Sequence, residues 1–230
     1  MKWLMEPGIN DNLAVRAFAD TAKMEWSASP SRTVWRKRVH LAGPHESGQV
    51  TSVVRYEPGS TFPAHDHPDG EEILVLKGIF SDEHGDWPAG TYLLNPQGFR
   101  HAPFSDDGCE LFVKLRQYPG LDRRHVAITT GLLCWLPGAA PAIEIKPLYE
   151  QTGFTDSMRL ERWARGARPG SVSYAGGAEI FVVSGRFTDE FGEYGPACWL
   201  RMPVGASHEP ATDEGCILYI KTGGIAYLRS

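Results

Sequence analysis

Short apolar runs, punctuated by glycine and proline, recur along the whole chain. Glu72-Ile-Leu-Val-Leu-Lys77 and Glu179-Ile-Phe-Val-Val-Ser184 are continuous apolar segments that end at a glycine, the pattern of buried strands rather than of amphipathic helices. A turn centred on Asp82–Gly85, and again on Asp189–Gly192, joins each to a following strand in hairpin fashion. Further strands are predicted over 91–95 and 198–202, each leading into a Pro-x-Gly turn, and over 109–115 and 216–221. Only the lead-in departs from this rhythm: residues 1–25, containing Leu13-Ala-Val-Arg-Ala-Phe18, are expected to hold a short helix. The reading is an all-β fold.

The pattern also repeats itself. Shifted by 107 positions, Gly70–Lys114 aligns without a gap on Gly177–Lys221, and 19 of the 45 pairs are identical. Chance would give about three, so the chain is a tandem duplication of a whole domain. Gly78/Gly185, Phe80/Phe187, Asp82/Asp189, Pro96/Pro203, His101/His208 and Cys109/Cys216 are among the pairs, and upstream Trp26 answers Trp135. The organisation expected is a lead-in over 1–25, a first domain over 26–128 and a second over 129–230. Regular short strands with turn signals suit one jelly-roll barrel per copy.

Composition narrows the function. Apolar residues make up 42% and charged residues 22% of the 230, which is ordinary for a folded protein, and the formal charge of −5 argues against nucleic acid as a partner. The longest apolar stretch, Gly131–Ile143, is broken by Pro137 and Pro141, so no membrane helix is expected. The first residues lack the apolar core of a secretion signal, and the four cysteines are widely spaced with no CxxC pair. A cytoplasmic protein with free thiols is the expectation. No GxSxG, P-loop, HExxH or dinucleotide-binding glycine pattern is present.

One segment carries chemistry: Gly59-Ser-Thr-Phe-Pro-Ala-His65-Asp-His67-Pro-Asp-Gly70-Glu71-Glu72. On a strand, His65 and His67 point to one face, where two neutral imidazoles can share a cation. The Pro68-Asp69-Gly70 turn returns Glu71 toward the same point, and His101, after the Pro96-Gln97-Gly98 turn, supplies a fourth donor. Three histidines and a carboxylate suit zinc, iron(II), manganese, nickel or copper. In the second copy Glu71 becomes Ala178 and the two histidines vanish, while Glu72 persists as Glu179. Glu71 is therefore read as the ligand and Glu72 as structural, with one metal per chain. His208, alone, is read as a buried hydrogen-bonded residue. His40, His45, His84 and His125 are placed on the surface or in loops, Arg32–His40 is read as a solvated basic face, and the Asp-Glu pairs at 82–83 and 189–190 are read as turn formers.

Gly59–Gly78 reads G-x5-H-x-H-x3-E-x6-G and Gly90–His101 reads G-x5-P-x-G-x2-H, resembling the two cupin motifs, with Ser105 where the second motif ends in asparagine. The chain thus resembles a double cupin of two RmlC-like jelly rolls. The phrases FPAHDHPDGEEILVLKGIFSDEHGDWPAGTYLLNPQGFRHAP and GCELFVKL are similar to the cupin domain of ChrR-type anti-sigma factors. The resemblance implies His65, His67, Glu71 and His101 as metal ligands. It implies a module that senses or binds a small molecule or oxidant, with zinc the first expectation and iron, manganese or nickel next. The zinc-binding helical domain that grips a sigma factor in those proteins has no counterpart in the 25 residues ahead of the first copy, so a sigma factor is not an expected partner. A homodimer is. The alternative is an Fe(II)-dependent dioxygenase acting on a small chelating substrate such as a diketone.

Overall fold

The computed structural model describes residues 8–229, which form two compact units. Within the described residues, unit 1 takes 8–11, 25–132 and 227–229, and unit 2 takes 12–24 and 133–226. Each is built on one antiparallel sheet. In unit 1 the strand order is Val126–Thr129, Thr91–Asn95, Glu71–Asp82, Cys109–Leu115, Gln49–Tyr56, Val34–Ala42 and Ser27–Ala28. In unit 2 it is Ala17–Asp20, Cys198–Met202, Ala178–Gly185, Cys216–Thr222, Ser157–Trp163, Ile143–Tyr149 and Leu136–Pro137. The two orders match strand for strand, so the duplication seen in sequence is a duplication of topology.

The apolar runs behave as their composition requires. Ile73, Val75 and Phe80 from one strand and Leu111 and Val113 from its neighbour pack with Val34, Val54 and Leu93 in unit 1. Ile180, Val182, Leu200, Leu218 and Ile220 do the same in unit 2. Gly78 and Gly185 end the two runs with φ near +70°, where a Cβ would collide with the carbonyl of Gly108 or Gly215. Glycine is needed there because the next strand's backbone passes against it.

The lead-in differs from expectation. The chain turns at 13–15 and then enters the strand Ala17–Asp20, which pairs with Arg201–Cys198, so no helix forms over Leu13–Phe18. An open sheet edge takes a short segment whose side chains alternate, Ala17 buried and Phe18 exposed, and pairing overrides a weak local preference. The matching edge of unit 1 is filled by Val126–Thr129, from the segment ahead of the second copy. Ala17–Asp20 thus lies in unit 2 and Val126–Thr129 in unit 1, and the boundary runs between chain segments rather than at one point in the sequence.

Candidate metal centre

Two short strands of unit 1, His65–Asp66 and Arg100–His101, pair so that His101 stands directly opposite His65. His67 follows, its amide donating to the Phe99 carbonyl at 3.0 Å. The turn then closes through the amide of Gly70 on the carbonyl of His67 at 3.2 Å. Glu71 opens the next strand with Asn95 as its cross-strand neighbour. One nitrogen from each of His65, His67 and His101 lies within 4.8 Å of the others. Nε2 of His67 and Nε2 of His101 are 2.9 Å apart, and the Glu71 Oε2 is 3.4 Å from the first and 3.6 Å from the second. The three histidines therefore cluster, Glu71 lies beside His67 and His101, and Glu72 instead accepts from the Tyr118 hydroxyl.

The donors are held in orientation by partners on their far sides. Nδ1 of His65 donates to the Pro63 carbonyl at 2.9 Å, and Nδ1 of His101 bonds the Asp82 carboxylate at 3.0 Å. With those protons on Nδ1, the Nε2 lone pairs face inward. Asn95 donates to Glu71 at 3.0 Å. Burial pulls the His67 pKa below its ordinary value, against the Glu71 charge, which keeps the ring neutral. Burial also opposes charge on His101, but the Asp82 hydrogen bond and the Glu71 and Asp82 charges outweigh it and raise its pKa. Burial disfavours the Asp82 carboxylate too, yet its bonds to His101, the His84 amide and Trp87 leave it below the usual value.

This donor set fits a metal ion. Two nitrogens about 2.1 Å from a common ion stand about 3 Å apart at right angles and about 3.4 Å apart at the tetrahedral angle, the spacings found here among the imidazole and carboxylate atoms. Beside the cluster lies a cavity of about 370 Å³ whose wall includes His65, His67, Glu71 and His101. Val54, Tyr56, Phe62, Ile73 and Leu111 make it largely apolar, and Arg36 and Arg116 bring positive charge to it. A volume near the lower end of ligand pockets suits a molecule of metabolite size.

Several expectations need correction. Asp82 is a turn former, its Oδ1 accepting from the His84 amide, but it also orients His101, and the sequence reading missed that second role. The available signal was the 19-residue separation of Asp82 from His101, repeated in Asp189 and His208. His40 is not on the surface: it is fully buried, with Nδ1 on the Asn10 carbonyl at 3.1 Å. Nor is Arg32–His40 a solvated face throughout, since Lys37 and Val39 are buried and Arg36 reaches the cavity. His84 and His125 are exposed, as expected, flanking Phe99. His208 is buried between Asp189 (3.0 Å) and the Tyr174 hydroxyl (3.1 Å).

Comparison with known proteins agrees with this architecture. A protein from Nostoc punctiforme, provisionally described as a dioxygenase, superposes with a TM-score of 0.77 at 16% identity, covering 90% of this chain and 82% of that one. Protein YlbA from Escherichia coli superposes at 0.70, with 14% identity and 92% of each chain covered. The bacterial pirin YhhW from Escherichia coli, solved with nickel(II), superposes at 0.64, with 15% identity, 90% of this chain and 98% of that one. The DNA damage-repair/toleration protein DRT102 of Arabidopsis thaliana is 31% identical over 70 residues; that match takes 28% of this chain and spans under a quarter, 23%, of the relative. The model of the ChrR Cupin-like domain matches twice, over residues 14–119 and 123–226. Each match starts ahead of a leading strand and takes in the whole of one repeat, and on that evidence the chain belongs to the ChrR Cupin-like domain family.

Proposed function

We propose that unit 1 holds one divalent transition metal on His65, His67, Glu71 and His101 and uses it to bind a small organic molecule. The protein then acts as a cytoplasmic sensing or binding module. The observation that carries this reading is the placement of the donors on the wall of the 370 Å³ cavity. A purely structural ion is enclosed by its ligands, whereas these donors leave one side facing open, apolar space. A bound metal would supply Lewis acidity toward an oxygen of the guest. The chain's own residues divide the remaining work. Asp82 holds the proton at Nδ1 of His101, Pro63 does so for His65, and Asn95 fixes Glu71. Val54, Phe62 and Leu111 supply the apolar wall beside them. Zinc is the first expectation, with iron, manganese and nickel behind it.

The same open face favours a second reading, an Fe(II)-dependent dioxygenase for a chelating substrate such as a diketone, since three histidines and a glutamate leave positions free in an octahedral shell. Elemental analysis of anaerobically purified protein, without added metal, tests the shared premise. One metal per chain in the wild type and none in His65→Ala is the expected result; an equal metal content in both removes the site. Anaerobic addition of acetylacetone to the Fe(II) protein separates the readings. A new absorption band favours the oxygenase, and an unchanged spectrum across a panel of diketones favours the binding module.

A further inference from the structure

The cavity beside the metal centre carries on its wall an arginine, Arg116, whose equivalent in unit 2 is a glycine. Arg36 and Arg116 both line it, and Arg38 stands beside Arg36 on the same strand. Glu46, also on the wall, ion-pairs with Arg36 at 2.8 Å and with Arg38 at 3.0 Å while half exposed to solvent. Asp66, also on the wall, is engaged by Arg100 at 3.3 Å, and Glu71 belongs to the metal donors. Among the described residues Arg116 meets no carboxylate: its guanidinium reaches the carbonyls of Gly48 and Glu46, each at a long 3.4 Å.

Arg116 also holds an unusual backbone conformation, with φ at +60°. Left-handed residues other than glycine, asparagine and aspartate are uncommon and persist where the surroundings insist on them. The equivalent residue of unit 2, seven positions past Cys216 as Arg116 is past Cys109, is Gly223, with φ at +71°. The fold therefore needs the left-handed turn in both units, and only unit 1 places a charged side chain on it. Arg36, opposite Val54, is answered by Ile145, opposite Glu161. Tyr56, opposite Cys109, is answered by Trp163, opposite Cys216. The Trp163 indole spends its proton on Glu161, whereas the Tyr56 phenol lies on the cavity wall, where burial and the Glu71 charge keep it protonated.

We infer that the cavity is a site for an organic monoanion with an apolar body, its carboxylate held by Arg116 and Arg36 and its body against Val54, Phe62 and Leu111. The far end of the guest is then directed at the metal donors, with the Tyr56 hydroxyl available to donate to it. The guest's orientation toward a metal rests on the function proposed above; the anion site itself does not.

The test uses the full chain, with and without metal, and two probes of one body: hexanoate and 1-hexanol, titrated calorimetrically. Hexanoate is expected to bind at least tenfold more tightly than 1-hexanol. Arg116→Gly and Arg36→Ile install the residues that unit 2 carries. Each is expected to lower hexanoate affinity about tenfold or more, the worth of one charge-assisted contact, with 1-hexanol unchanged. Equal binding of the two probes to the wild type, or undiminished hexanoate binding in Arg116→Gly, overturns the inference. An unchanged urea midpoint in Arg116→Gly shows that a lost affinity is not lost folding. Metal content, measured separately, keeps the two proposals apart: discrimination between the probes in a protein that takes up no metal leaves the anion site standing and removes the metal centre.

Discussion

Units 1 and 2 keep the same Asp–His pair and spend it differently. In unit 1, Asp82 fixes His101 so that Nε2 faces His67, His65 and Glu71. In unit 2, Asp189 fixes His208 at the same 3.0 Å, but Nε2 meets the hydroxyl of Tyr174, which stands where His67 does. Val172 replaces His65, Ala178 replaces Glu71, and Met202 replaces Asn95. The interior changes with them. Ser52 and Val54, on the cavity wall of unit 1, correspond to Arg159 and Glu161, which pair at 2.7 Å, with Trp163 donating to Glu161 at 2.8 Å. Tyr174 and Met202 join the apolar core. An inward lone pair on a buried imidazole needs a partner. Unit 2 supplies a phenol and closes around it, whereas unit 1 converges donors and leaves space. Both units keep the Asp–His pair, and what differs is its surroundings: a cluster of donors in unit 1, a phenol in unit 2.

The largest expected effect comes from removing that histidine in each unit. His101→Ala should reduce bound metal from one per chain to none by elemental analysis, since it deletes a ligand at the centre of the set. His208→Ala should leave metal content untouched and instead lower stability by about 2 kcal/mol or more in urea denaturation, because Asp189 and the Tyr174 hydroxyl lose a buried partner. Metal loss in the second variant would mean that unit 2 also carries an ion.

A smaller effect is expected one step out. Asp82→Asn keeps the shape but weakens the grip on His101, and metal affinity should fall about 10- to 100-fold in chelator competition. Asp189→Asn should change affinity by less than about twofold, since its histidine faces a phenol. Equal effects from both would show that Asp82 acts through folding alone.

Much of this was legible in the sequence because it is local. Strand runs, the glycine-ended turns and the His65–Glu71 spacing each depend on a few adjacent residues, and the 107-residue shift is arithmetic. What escaped depends on pairings distant in sequence. The strand Ala17–Asp20 exists because an edge roughly 180 residues away accepts it, as Ala17 opposite Arg201 shows. Arg36 and Arg116 reach one cavity only through the register of their strands, and a basic run with alternating side chains looks solvated until that register is known. Asp82 was hidden by its own recurrence: present in both copies, it was assigned to the turn they share, although the histidine it orients recurs as well.

Acid should separate the units by the kind of response. Metal competes with protons for neutral imidazoles, and because the Asp82 hydrogen bond and the Glu71 and Asp82 charges raise His101 above its ordinary value, apparent affinity should fall as pH drops through that raised value. Unit 2 responds through stability. Burial opposes the Asp189 charge, but bonds from His208, Tyr194 and the Phe191 amide, with Arg16 nearby, hold its pKa below 3.8. A carboxyl depressed in the folded state contributes stability that is fully present above the unfolded value and lost as pH falls through the folded one. Metal release measured by chelator dye should therefore precede, on acidification, any loss of the unit 2 tertiary signal that Asp189→Asn weakens. Coincident transitions would contradict the separation.

The smallest effect expected is the most discriminating, because it concerns one backbone position occupied differently in the two units. Arg116 and Gly223 share a left-handed φ, +60° and +71°. Arg116→Gly relieves a conformation that costs an L-residue about 1 kcal/mol and loses a similar amount to the greater freedom of glycine when unfolded. The urea midpoint should shift by no more than about 0.5 kcal/mol in either direction. The reverse exchange is not symmetric. A side chain at Gly223 would drive its Cβ into the Thr155 carbonyl, whereas in unit 1 the residue matching Thr155 is Gly48, whose carbonyl the Arg116 guanidinium reaches. Gly223→Arg should cost about 1–3 kcal/mol, since backbone has to move. If both exchanges proved neutral, the turn would be permissive and the arginine in unit 1 would need no special surroundings. If Arg116→Gly alone is neutral in stability, unit 1 has made room for a charge that folding does not require.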